Sequence, residues 1–428
     1  MSVISELLKS VRLPLMFPAR QRFVAPQLDD VAGSLTAQLE QDKITQTIRP
    51  GMRVAIAVGS RGLAELPLLV HQTVEMLRVL GADPFIVPAM GSHGGATAEG
   101  QRQVLAKLGV TEESAGCKIC SSMDVVVVGR LENGLEVFID KLAYEADGIV
   151  VINRIKPHNC FNGPSESGLV KMITIGLGKQ IGADSCHSYG FGHMPSFIVE
   201  MARIKLATSK ILFGVGTVEN AYDRIVHVEV VAASELIETD QRLLKVAKAN
   251  MPQLPFMDID VLVVDRLGKE FSGGGMDGNI TGRYPTPFIS GGPRVNKMVV
   301  LDVTDKSNGN TNGMGMADVT TKRLFSKIDY NMVYANALTS TITASVKIPM
   351  IMDNEEMAFK AAVKMCNAPD WKALRVLRIP DTLNLSKIYL SSGLWAEAQR
   401  KSELEIMGEP ECVRFNDKGD IITTWASF

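Results

Sequence analysis

Short apolar runs recur along the chain, each closed by glycine, proline or a small polar cluster. Arg53-Val-Ala-Ile-Ala-Val58 stops at Gly59-Ser-Arg-Gly62, and Pro84-Phe-Ile-Val-Pro88 stops just before Gly91-Ser-His-Gly-Gly95. Gly148-Ile-Val-Val-Ile-Asn153 and Lys210-Ile-Leu-Phe-Gly-Val215 have the same character. Continuous apolar runs of this length suit strands buried on both faces. Between them, residues 66–80, 97–108, 167–178, 196–207 and 232–249 carry helical spacing or helix-start signals. Residues 125–128 and 137–139 flank Asn133-Gly134, a hairpin signal. Strands alternating with helices predict an α/β fold with mainly parallel sheets.

Asn250-Met-Pro-Gln-Leu-Pro-Phe256 follows a helical pattern with two prolines and marks a boundary. Residues 1–254 are expected to form one α/β domain and residues 255–428 a second. The second opens with the strand Asp260-Val-Leu-Val-Val264, followed by a strand at 297–303, a helix at 319–326 and strands near Val376 and Ile388. A strand pattern over 412–424 is expected to pack back on the first domain.

Composition then removes whole classes. The 428 residues hold 45 Lys and Arg against 47 Asp and Glu, so the basic excess of a nucleic-acid binder is missing. Six cysteines are too few for a disulfide-stapled scaffold. No apolar stretch approaches the ~20 residues that span a bilayer, and residues 1–12 lack the pattern of a signal peptide. A cytoplasmic protein with reduced thiols, free of nucleic-acid and membrane partners, is expected. Cys117 and Cys120 form a CxxC without a second pair nearby, which reads as ordinary thiols.

The six histidines are distributed unevenly. His71 falls in a helical pattern and His227 in a strand pattern. His93 and His158 follow strand ends, and His187 and His193 lie in an expected loop over 182–195. Ligands in open α/β sheets bind outside the carboxyl ends of strands. Neutral imidazole is a common ligand for nickel, zinc or copper, although no HExxH or paired Cys/His spacing occurs. Arg61 ends the first strand, where a guanidinium can clamp a carboxylate or phosphate. Gly94 and Gly95 precede a helix and offer backbone N–H groups to an anion. GxxxxGK[ST] and a strand-linked GxGxxG are absent. Lys171 stands in an apolar helical pattern, either reaching out to solvent or serving as a desolvated nucleophile or covalent anchor.

Four strings together resemble the nickel-dependent lactate racemase family of nickel-pincer nucleotide racemases and epimerases. They are Ala89-Met-Gly-Ser-His-Gly-Gly-Ala-Thr97, Asn153-Arg-Ile-Lys-Pro-His158, Glu166-Ser-Gly-Leu-Val-Lys171-Met and Gly176-Leu-Gly-Lys-Gln180. Phe213-Gly-Val-Gly-Thr-Val-Glu-Asn-Ala-Tyr222 and Gly275-Met-Asp-Gly-Asn-Ile-Thr-Gly-Arg283 are similar to a subgroup of that family. The resemblance implies two α/β domains with the active site in the cleft between them. It also implies a nickel-pincer nucleotide, a pyridinium-3,5-bisthiocarboxylate mononucleotide carrying nickel, tethered to Lys171 through a thioamide. His187 matches the family's nickel ligand, with His193 as the fallback. His93 and His158 match the two acid/base histidines, and Arg61 the arginine that binds anionic groups of cofactor or substrate.

The implied reaction inverts C2 of a 2-hydroxy acid by hydride transfer to the cofactor, with histidines moving the hydroxyl proton. Arg61, Lys269 and Asn279 are candidates for holding the substrate. The chain departs from lactate racemases proper in its longer 158–171 spacing, in Ser60 before Arg61, and in Gly-Met-Asp-Gly-Asn279 without a following Gln and Lys. Polar loops at 272–283 and 305–320 suit a longer hydroxy acid such as a sugar acid. Expected partners are that small molecule, the enzymes that make the cofactor, and further copies of the chain in a homo-oligomer. The alternative is a histidine-site metal-dependent isomerase or lyase, or a small-molecule-binding protein, without the pincer.

Overall fold

A computed structural model describes residues 3–422 and 425. It divides into two compact units, Ala25–Met251 and a second made of Pro252–Phe428 together with Met1–Val24. The division after Ala25–Met251 falls at Pro252. The first 24 residues, however, belong with the second unit, because strand β1 (Met16–Gln21) pairs there.

The unit Ala25–Met251 is built on a five-stranded sheet. Its strands are β2 (Arg53–Val58), β3 (Asp83–Pro88), β6 (Gly148–Arg154), β7 (Ile211–Glu219) and β8 (Ile225–Ala232), and β4 (Val125–Arg130) and β5 (Glu136–Asp140) form a separate hairpin. The order is β3-β2-β6-β7-β8, with β8 antiparallel and the others parallel. Val54 to Val58 and Ile149 to Val151 are fully buried, which explains the unbroken apolar runs. From β2 the chain steps outward to β3 and then returns on the other side to β6. The strand order therefore reverses between β2 and β6, where open α/β sheets place their ligands. Arg61 leaves β2, His93 leaves β3 and His158 leaves β6 at that same end. The edge strand β8 is covered rather than left open: the Gln38 side chain donates to Val228 O and accepts from Val230 N, both at 2.9 Å.

The second unit carries an eight-stranded sheet, built from β1 with β9 (Asp258–Leu267), β10 (Arg294–Val303), β11 (Val319–Thr321), β12 (Met350–Met352), β13 (Val376–Ile379), β14 (Lys387–Ser391) and β15 (Leu404–Ile406). The order is β12-β11-β10-β9-β13-β14-β1-β15, and β14, β1 and β15 join it antiparallel. The expected helix at 319–326 is instead strand β11 followed by the helix Lys322–Ser326, whose N-terminus is capped by Thr321. The C-terminal pattern forms isolated bridges rather than a strand, and it belongs with the second unit rather than the first. Glu411 bridges Met16, and Trp425 Nε1 donates to Asp265 Oδ2 at 2.8 Å, under an Arg378 that also binds Asp265. Thr423 and Thr424 lie outside the described residues. Among the described residues no helix is long and apolar enough to cross a membrane, and all six cysteines are free thiols.

Phe17 sits fully buried in β1, edge-on to Trp395 at 4.7 Å. Phe17→Ala is expected to cost about 3–5 kcal/mol. Urea unfolding followed through tryptophan fluorescence checks this, and the loss should fall on the transition of the unit holding Trp371, Trp395 and Trp425.

Candidate active site

The strand β6 runs out into Lys156-Pro-His158, and the loop after it is shaped by one buried carboxylate. Glu166 accepts the His158 backbone N–H at 2.8 Å and the Gly163 N–H at 3.2 Å, and pairs with Lys248 at 2.6 Å. The ring of His158 lies 4.5 Å from that of Phe161 and 6.2 Å from that of Phe191. Its Nδ1 accepts the Cys160 N–H at 3.1 Å, and its Nε2 lies 2.7 Å from Lys171 Nζ.

These two contacts define protonation. Nδ1 is an acceptor, so a neutral ring carries its proton on Nε2. Nε2–H then has to donate to a lone pair on Lys171 Nζ, which only an uncharged amine offers. The surroundings agree. Desolvation, then Arg61 and Lys156, bring Lys171 down to about 8. Desolvation, Lys171, Lys156, His187 and Arg61 hold His158 well below the ordinary imidazole value. Lys171 is half-buried and points into this cationic neighbourhood. It is a desolvated amine rather than a solvent-directed lysine.

Lys171 ends a short helical turn, Leu169–Lys171, that starts at the extended Gly168. Asp240 accepts the Val170 N–H, and any Cβ at Gly168 would come within 2.2 Å of that carboxylate. Burial raises Asp240 to about 6. The expected single helix over 167–178 is therefore three pieces: this turn, a π-turn over Met172–Gly176, and the helix Lys179–His187.

His187 ends that helix and was expected on a loop. Its Nδ1 lies 2.6 Å from Ala183 O, its own helix's i−4 carbonyl, so Nδ1 carries the proton and Nε2 the lone pair. Phe191 packs edge-on to His187 at 5.5 Å and faces His158, which places both imidazoles around one ring. His193 is exposed and stacks on Phe197 at 5.4 Å, beside Tyr189. Among the described residues no group of three or more His, Cys, Asp or Glu is arranged to hold a metal ion. A metal here would take His187 Nε2 as one ligand and need the rest from a bound group.

On the other strand ends, His93 Nδ1 is hydrogen-bonded to Ser60 Oγ, joining the loops after β2 and β3 beside Arg61. Desolvation and Arg154 push the Arg61 guanidinium down, yet the residue keeps an exposed surface and remains open to a ligand. Glu219 anchors this loop by accepting the Ala64 N–H at 2.6 Å and pairing with Arg154. Gly91, Gly94, Gly95 and Ala96 all have positive φ, and a Cβ on Gly94 would strike the Gly100 backbone at 2.6 Å. Thr97 Oγ1 caps the following helix by accepting the Gly100 N–H.

Lys269 and Asn279 belong to the second unit. Lys269 Nζ donates to Gly273 O at 2.8 Å and Asn336 Oδ1 at 2.6 Å. Asn279 is bonded to Asp277 and Tyr284. Each holds its own loop together.

Sequence reasoning missed four supporting side chains: Glu166, Asp240, Lys179 and Gln101. Lys179 is fully buried at φ +55 and bonds Asp140 at 2.9 Å, Pro88 O at 2.6 Å and Gln101 Oε1 at 3.2 Å. The amide of Gln101 is thereby oriented to donate to Gly91 O and His93 O. Glu166 and Lys179 stood within the quoted motif strings but without a role, Lys179 as a lysine among small and apolar residues; Asp240 and Gln101 lie in polar helical stretches that single out neither.

Lys179→Met leaves Asp140 buried and unpaired, so a loss of about 3–5 kcal/mol is expected in urea unfolding. Adding Asp140→Leu should recover part of it. A second outcome concerns pH. The unfolded His158 takes up a proton near ~6.5 that the folded ring refuses, so the native state loses stability as pH falls below that value. Asp240, raised in the fold, acts in the opposite sense, so the comparison is made against His158→Gln. From pH 7.5 to 5.5 the wild type should lose stability relative to that variant; parallel curves would refute the assignment.

Residues 13–194 match the model described as the lactate racemase N-terminal domain. No curated protein matches the chain. Among solved structures, a Thermotoga maritima protein is similar at 14% identity with a TM-score of 0.50, covering 64% of this chain and 71% of that one. The lactate racemase apoprotein from Thermoanaerobacterium thermosaccharolyticum aligns at 14% identity with a TM-score of 0.44, covering 85% of each chain. The likeness to the lactate racemase N-terminal domain thus extends over residues 13–194, less than half of the chain.

Proposed function

We propose that the protein is a racemase or epimerase that inverts C2 of a 2-hydroxy acid, working with a nickel-pincer nucleotide tethered to Lys171. The observation that carries this reading is the contact of Lys171 Nζ with His158 Nε2 at 2.7 Å, beside a His187 whose Nε2 carries the lone pair. An uncharged lysine is what acylation requires, and an Nδ1–H imidazole is what a metal ligand requires. The residues therefore fit the group. Lys171 would hold the nucleotide covalently and His187 would be the one protein ligand of nickel. When bound, this group supplies a reversible acceptor for the C2 hydrogen, chemistry that side chains alone cannot provide.

The chain's own groups supply the remainder. Arg61, Arg154 and Lys156 act on one another, on Lys171 or on His158 through their charges, a field that favours an anion. Arg61 is the exposed member and suits bidentate binding of the substrate carboxylate. His158, held neutral by its surroundings, serves one epimer; to accept the hydroxyl proton its ring must first free a lone pair, by releasing the Cys160 N–H from Nδ1 or by moving the Nε2 proton to Nδ1 once Lys171 is acylated. His93, fixed by Ser60 on a different strand end, serves the other epimer. Lys269 and Asn279 are proposed substrate contacts. The polar loops at 272–283 and 305–320 favour a hydroxy acid longer than lactate, such as a sugar acid. The partners are that substrate and the enzymes that build the cofactor, in a cytoplasmic setting that suits the free thiols.

Protein produced together with the cofactor-making enzymes is expected to carry a mass adduct on Lys171 and to change the optical rotation of its 2-hydroxy acid, to zero where C2 is the one stereocentre and to the value of the epimer mixture where there are others. Lys171→Ala should lose the adduct and fall to background. Equal racemisation by Lys171→Ala and by unmodified protein would favour the histidine-site metal isomerase instead.

A further inference from the structure

Lys205 is 1% exposed on the helix Met194–Thr208, and no carboxylate pairs with it among its hydrogen bonds. Its Nζ donates to Ile173 O and to Thr174 O, each at 2.8 Å. Both carbonyls belong to the π-turn Met172–Gly176 that directly succeeds Lys171. The reason they need a donor is visible in the ladder. Leu177 gives its N–H to Met172 O, five residues back, at 2.9 Å. Ile173 O thereby loses the N–H that an α-turn would supply. The turn is wholly buried among apolar side chains, where an unmatched carbonyl is costly.

The π-turn also does something for the site. Gly176 packs so tightly that a Cβ would meet Ala89 O at 2.6 Å, and Gly176 O accepts the Gly91 N–H at 3.2 Å. The extra residue thus presses the segment carrying Lys171 against the loop that carries His93. In a regular α-helix each residue turns the chain by about 100°. Relaxing the π-turn by one residue would rotate the Leu169–Lys171 turn relative to the Lys179–His187 helix, changing the direction in which Lys171 points.

We propose that Lys205 is the positioning residue of the site: its Nζ donors hold the π-turn open, and the π-turn sets Lys171 against His158. The functional meaning rests on the tether reading above, but the geometry and its test do not require the cofactor. Burial brings Lys205 down to about 7, so near neutral pH ammonium and amine coexist, and either form has the two N–H groups that the carbonyls need.

The test measures Lys171 directly in cofactor-free full-length protein. Reductive methylation with formaldehyde and cyanoborohydride as the hydride donor, at pH 7.5, is followed by peptide mass measurement, and the rate at Lys171 is divided by that of an exposed lysine such as Lys9 in the same digest. Amide exchange over 169–178 is read in parallel. Lys205→Met is expected to slow Lys171 methylation about tenfold and to speed exchange across the turn. Lys205→Arg, which keeps two forked donors, should stay within about threefold of the wild type. A folded Lys205→Met with wild-type Lys171 rate and unchanged exchange overturns the proposal. Should Lys205→Met not fold, Lys205→Gln keeps a shorter two-hydrogen donor: an intermediate loss of rate supports the proposal and an unchanged rate overturns it. Failure of the racemase reading would appear separately, as a missing adduct with these labelling results intact.

Discussion

The contact between Lys171 Nζ and His158 Nε2 is the constraint around which the rest is arranged. Two cationic acids cannot share a hydrogen bond. Cys160 N–H occupies the one imidazole nitrogen that would otherwise offer a lone pair elsewhere. With Nδ1 taken, the contact joins two neutral groups, and the neighbourhood shifts both that way: little water, and positive charge from Arg61 and Lys156, which bring Lys171 down to about 8, so that the free amine is a minor form near pH 7 and an abundant one by pH 8. An uncharged amine in a cationic, anion-attracting place is a poor device for stability and a good one for covalent attachment.

Holding such a pair requires buried polar groups that each carry a cost and each have a defined partner. Glu166 is tied to Lys248 and to two backbone N–H groups, so its charge is matched while it bends the loop of His158. Lys179 matches Asp140 and orients Gln101, which in turn fixes the carbonyls around His93. The apolar strands below supply rigidity, and these side chains convert it into position. The π-turn obeys the same logic: an irregularity with freed carbonyls is stable only because a donor reaches it.

Much of this was readable in the sequence, and the limits have physical causes. Unbroken apolar runs announced β2, β3, β6 and β7, and the histidine-bearing loops fell where parallel strands end. The 166–180 segment was readable as a motif and its helix as periodic, but a π-turn shifts the period by one residue within five, below what a hydrophobic pattern resolves. Lys205 sits in Ile198-Val-Glu-Met-Ala-Arg-Ile-Lys-Leu206, where a lysine ordinarily reads as solvent-directed; only tertiary packing reveals the carbonyls it serves. The placement of β1 between β14 and β15 joins residues more than 360 apart in sequence, and local pattern carries no information about that pairing. The same blindness sent the C-terminal segment to the wrong domain.

The site depends on where its protons sit, so the most direct measurement is the 15N NMR spectrum of His158 in uniformly labelled, cofactor-free protein, assigned by comparison with His158→Gln. The expected result is a neutral ring from pH 6 to 8, with Nε2 protonated and Nδ1 bare. A ring that titrates near ~6.5, or one with the proton on Nδ1, would contradict it.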